Sequence, residues 1–165
     1  MDWNAGRRSL ATLTIVALIL SACATGQASP GATAASPGPA TAAGATTVQV
    51  TLQEWAVIPT PDSVAAGEVT FQVTNDGPDD VHEFVIVKTD LDFGALPTDD
   101  TGAVSESGEG LEVVDEIEDI PVGETQDVTA TLEAGKYVLL CNIYDETEQE
   151  AHYRMGMRIP FEVTG

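Results

Sequence analysis

From about Val48 to the end of the chain, hydrophobic and polar positions alternate with a period of two. VQVTL (48–52) sets Val48, Val50 and Leu52 on one face, and VTFQV (69–73) does the same with Val69, Phe71 and Val73. Alternating β-branched and aromatic residues mark half-buried strands. Turn signals flank the second run, Ala66-Gly67 before it and Asn75-Asp76-Gly77-Pro78 after it. VHEFVIVK, VVDEIEDI, DVTATL, KYVLLCN and MRIPFEV continue the series, each bounded by Gly, Pro, Asp or Asn, and no segment shows a long helical period. The pattern predicts an all-β domain, a Greek-key β-sandwich or barrel of about seven to eight antiparallel strands. Between Asp90 and about Gly110 an acidic, glycine-rich stretch breaks the alternation and is expected to be an irregular, mobile excursion.

The N-terminal pattern is different. Arg7 and Arg8 precede an uncharged apolar run from Ser9 to Leu20, the order of an export signal. That run falls short of the ~20 apolar residues that cross a bilayer. Leu20-Ser21-Ala22-Cys23 resembles the bacterial lipobox, which implies that Cys23 is acylated and becomes the mature N-terminus; more than one acyl chain makes a stable anchor. Ala24 to about Thr46 carries neither charge nor aromatic ring and reads as a flexible tether. The expected organisation is therefore a signal peptide (1–22), a lipidated cysteine with its tether (23–46) and one folded domain (47–165). The location expected is outside the cytoplasm, with the lipid holding the chain on the outer face of the cell membrane, periplasmic or at the cell surface.

Charge narrows the partners. The chain has 27 acids against six bases, a formal net charge of −21. Loss of the signal peptide removes Asp2, Arg7 and Arg8 and makes the balance one unit more negative. Nucleic acid and anionic headgroups are poor partners for such a surface, whereas basic proteins and cations suit it. Most of the acids fit a solvated face, and none of the acidic stretches has the spaced oxygens and central Gly of a calcium hand.

Soft ligands are scarce and gathered. Two Cys, two His and three Met serve 165 residues, yet CNIYDETEQEAHYRMGM (141–157) holds one cysteine, one histidine and two methionines. With Cys23 given to lipid, Cys141 has no disulfide partner, and an unpaired thiol in an exported protein needs a reason. By alternation Cys141 shares a face with Tyr137 and Leu139. His82 follows the turn NDGPDD at the mouth of a strand. Two imidazoles, a thiolate and a thioether form the set that copper takes in electron-transfer sites.

"NDGPDDVHEF", "YVLLCN" and "HYRMGMRIPFEVT", in that order, resemble the cupredoxins, the plastocyanin- and azurin-like type 1 blue copper proteins. The resemblance implies one copper per domain, with His82, Cys141 and His152 as equatorial ligands and Met157 as the axial one; Met155 is the alternative axial candidate. Glu83 and Asn142, each just after a ligand, are the candidates for groups that orient the site, with the neighbouring backbone N–H groups as donors to the sulfur. Ten residues separate Cys141 from His152, more than in small cupredoxins, and the longer loop carries the expectation that a carboxylate such as Glu150 or Glu83 approaches the metal and lowers its potential. The function implied is a tethered one-electron carrier that meets a basic redox protein or a membrane electron-transfer complex. The alternative is a carrier that delivers copper for oxidase assembly without redox turnover. Neither reading is an enzyme, since both histidines are taken by the metal and no Ser/His/Asp arrangement remains.

Overall fold

The computed structural model describes residues 46–165; the expected signal peptide, the lipidation cysteine Cys23 and the tether up to residue 45 lie outside them. Eleven strands and one short helix follow in chain order: β1 (Thr46–Gln53), β2 (Ala56–Thr60), β3 (Ser63–Ala65), β4 (Gly67–Asn75), β5 (His82–Lys88), β6 (Glu112–Ile120), β7 (Thr125–Leu132), β8 (Gly135–Leu140), β9 (Tyr144–Asp145), β10 (Glu150–Ala151), α1 (His152–Met155) and β11 (Arg158–Thr164). A four-stranded sheet in the order β2-β1-β4-β7 faces a five-stranded sheet in the order β3-β11-β8-β5-β6, and β9 and β10 form a separate hairpin. Among the described residues no helix is long and apolar enough to cross a membrane.

The all-β sandwich is as expected; the strand count and pairing are not. β2 and β3 lie at sheet edges, where Pro59 removes no ladder donor that a neighbour needs and three residues suffice. Neither segment carries a long alternation to read. β1 pairs parallel with β4, and β3 parallel with β11, so the sheets are mixed rather than antiparallel throughout.

Alternation places the core between the sheets. Val48, Val50 and Leu52 of β1 and Val69, Phe71 and Val73 of β4 meet Phe84 and Ile86 of β5, Tyr137 and Leu139 of β8, and Phe161 and Val163 of β11. Each fully buried large side chain contributes roughly 1.5–3 kcal/mol. The outer face of the four-stranded sheet is polar, with Thr70–Thr129 and Thr74–Thr125 hydroxyl pairs, both at 2.8 Å.

The outer face of the five-stranded sheet is apolar, and this overturns the mobile reading of residues 90–110. Val85, Val87, Val138 and Leu140 point outward and are covered by Leu96 and Val104 from the excursion and by Tyr153 from α1. The Tyr153 hydroxyl donates to Phe93 O at 2.9 Å and accepts from the Leu96 N–H at 3.1 Å. Arg154 donates to Thr98 Oγ1, and Thr89 Oγ1 to Gly110 O, both at 2.7 Å. The excursion is a docked cover because two strands bury both of their faces.

Candidate metal centre

Three strand ends converge at one pole of the sandwich. β5 and β8 run antiparallel with Val85 opposite Leu140, which sets the start of β5 beside the end of β8; β11 pairs Arg158 with Leu140, which sets Met157 beside Cys141. The Cys141 N–H donates to Met157 O at 3.0 Å. His82 is in phase with Phe84 and Ile86, and Cys141 with Tyr137 and Leu139, so both point into the space between the sheets. His152 opens α1. That helix ends in one turn, as the N–H groups of Gly156 and Met157 both donate to His152 O. Gly156 has φ +132°, and a Cβ there would meet Trp55 O at 3.0 Å, so the return of the chain to Met157 requires glycine.

His82 Nδ1 and His152 Nδ1 lie 3.2 Å apart, Cys141 Sγ lies 3.4 Å from His152 Nδ1 and 3.9 Å from His82 Nδ1. His82, Cys141 and Met157 are fully buried and His152 is 1% exposed. Three donors at these separations fit one ion with bonds of roughly 2.0–2.3 Å. Protonation states agree with that use. Burial, then the neighbouring His152, lowers His82 to about 4 against a weaker opposing effect of Glu54, and burial lowers His152 too, so both imidazoles are neutral with lone pairs available. Burial pushes the Cys141 thiol up to about 12, against N–H donors from Glu83 and Ile143. A metal cation supplies the charge that lets a thiolate persist there.

Met157 and Met155 separate clearly, the first buried in the cluster that contains Cys141 and the second 42% exposed. The Glu83 N–H donates to Cys141 Sγ at 3.3 Å, as the sequence led us to expect of the backbone next to the ligands. Its carboxylate turns away toward Glu106 and Glu116. Asn142 does not touch the sulfur: its amide accepts from Val104 N–H and donates to Val104 O at 3.0 Å and Glu106 Oε1 at 2.9 Å, and so pins the excursion to the end of β8. Neither Glu83 nor Glu150 joins the cluster of mutually close donor atoms, which is His82, Cys141 and His152. Glu150 instead pairs with Asp145 in the β9–β10 hairpin, and the His152 N–H closes the base of that hairpin on Ile143 O at 2.9 Å.

Sequence reasoning missed two residues of the β1–β2 turn. Trp55 packs edge-on against His152 with ring centroids 5.0 Å apart. Glu54 Oε1 accepts from the N–H groups of Asp79 (3.1 Å) and Asp80 (2.8 Å) and lies 3.7 Å from His82 Nε2. The sequence signal was no more than a Glu-Trp pair just past the first strand-like run. Asn75, read as a turn former, is fully buried; its amide donates to Asp80 O and Ile120 O and accepts from Gly77 N–H, all at 2.8 Å, and so shapes the turn that delivers His82.

No family model and no curated protein matches the chain in sequence. Solved structures do match in fold. Auracyanin A, described as a "blue" copper protein from the green thermophilic photosynthetic bacterium Chloroflexus aurantiacus, is 24% identical with a TM-score of 0.52 over 73% of this chain and 100% of its own. Dithionite-reduced auracyanin from the photosynthetic bacterium Roseiflexus castenholzii is 22% identical with a TM-score of 0.51 over 73% and 98%. Auracyanin B is 22% identical with a TM-score of 0.53 over 73% and 90%. These are cupredoxins, and the chain has the cupredoxin fold.

Proposed function

We propose that this cupredoxin-fold chain is a mononuclear copper protein that carries single electrons outside the cytoplasm, tethered through Cys23 to the outer face of the cell membrane. The observation that carries the reading is the buried triangle of His82 Nδ1, His152 Nδ1 and Cys141 Sγ, with Met157 beside it. His82, Cys141, His152 and Met157 would hold a copper ion there, and that ion would supply one-electron Cu(II)/Cu(I) chemistry. The chain's part is to keep the donors fixed. Strand ends position His82 and Cys141, the Glu83 N–H orients the sulfur, and packing excludes water.

A basic redox partner suits the surface around His152, which lines a cleft together with Asp79, Asp80, Asp119, Asp145 and Glu146. Copper delivery without redox turnover would suit a site with exposed Met155 and Met157 beside the long acidic loop. Burial of Met157 leaves one, Met155, and favours the carrier.

Loading the protein with copper tests the reading. The expected result is an intense thiolate-to-Cu(II) absorption band with narrow hyperfine splitting, abolished in Cys141→Ser, altered in Met157→Leu and unchanged in Met155→Leu. Stoichiometric copper without that band would sink the electron-carrier reading.

A further inference from the structure

Glu54 stands outside every ligand motif, yet it is the acid that reaches the cluster. Its side chain is 11% exposed and that of His82 is fully buried. His82 Nε2 and Glu54 Oε2 are both buried without a hydrogen-bond partner, although Oε1 of the same carboxylate stands 3.7 Å from Nε2. A buried polar atom left unpaired is destabilising, and a shift of about half an ångström joins these groups in a hydrogen bond. The opposite ring nitrogen, Nδ1, faces Cys141 Sγ and His152 Nδ1. The N–H groups of Asp79 and Asp80 donate to the same carboxylate at 3.1 and 2.8 Å, an arrangement that favours its charged form.

Resting on the copper reading above, we propose that Glu54 is a positioning residue for His82: its carboxylate takes the Nε2–H, which fixes the tautomer whose Nδ1 lone pair faces the metal position, and its charge favours Cu(II) over Cu(I). A carboxylate on the far side of a metal-bound imidazole orients the ring and raises its basicity. The same turn holds the second imidazole through Trp55, so the two-residue connection between β1 and β2 braces both histidines.

Glu54→Gln separates this role from a purely structural one, because glutamine keeps an oxygen for the Asp79 and Asp80 N–H groups and loses the charge. In the copper-loaded protein we expect its unfolding midpoint to stay close to wild type and its Cu(II) affinity to fall about 10–100-fold, with a smaller loss for Cu(I). Each tenfold selective loss raises the reduction potential by about 59 mV. Glu54→Asp restores part of the shift. In the metal-free protein, nitrogen-15 NMR is expected to find His82 protonated at Nε2 in wild type and as a tautomer mixture in Glu54→Gln. An unchanged potential in Glu54→Gln, with only Glu54→Ala less stable, makes Glu54 a turn cap and overturns the proposal. Failure of the wild type to form the thiolate–copper band would overturn the copper reading and the redox half of this inference together. The metal-free tautomer judges the hold on His82 by itself: an Nδ1–H form in wild type refutes it.

Discussion

Glu83 faces two ways, and its two halves obey different physics. Its N–H is spent on the Cys141 sulfur, while its carboxyl is pushed from the ordinary 4.5 up to about 7, first by burial and then by Glu106, Glu116, Glu118 and Asp119. Folding therefore holds a proton that the unfolded chain releases. The contribution of this group is fully present below about pH 4.5 and is lost as pH rises to about 7. Metal-free Glu83→Gln is expected to be more stable than wild type at pH 8, by on the order of 1–2 kcal/mol after discounting for partial exposure, and equal to it near pH 4. Denaturant midpoints across that range check it. At this scale the ligands were legible because soft donors are rare in the sequence. Glu54 was not, since it is one of 27 acids and nothing local sets it apart. Its role depends on a turn that comes close to His82 only after β1 and β4 have paired.

At the scale of elements, continuous burial is the feature alternation conceals. VHEFVIVK reads as a strand from its residue types, but Phe84 to Val87 are all buried, so the strand needs a cover on each face. Residues 90–110 are that cover on the outer side, and their acids and glycines, which suggested mobility, occupy its solvent side and turns. The order comes from a few apolar anchors, Leu96 and Val104, and from groups contributed by distant elements. Tyr153 is the principal one, so Tyr153→Phe is expected to cost about 1–3 kcal/mol through its two lost hydrogen bonds. The loss should appear as faster limited proteolysis between residues 90 and 110. The edge strands β2 and β3 escaped notice for the opposite reason: they are too short, or too interrupted by proline, to carry a period.

Across the whole molecule, acids dominate the surface and the cleft beside His152. Electron exchange with a basic one-electron protein is expected to slow by about tenfold or more as ionic strength rises from about 0.01 to 0.15 M, while the Debye length contracts from ~30 to ~8 Å. Stopped-flow rates with basic and acidic partners of similar potential would check this; a flat salt response for both would exclude steering by this surface. The β9–β10 hairpin carries some of these acids, and its closed base has an evolutionary consequence. With Ile143 O already joined to the His152 N–H, substitutions, insertions and deletions in residues 145–150 are expected to leave the backbone frame of Cys141 and His152 in place. Partner choice and metal chemistry can then diversify on separate segments, so a lineage could exchange this hairpin for another and acquire a new docking face without rebuilding its centre.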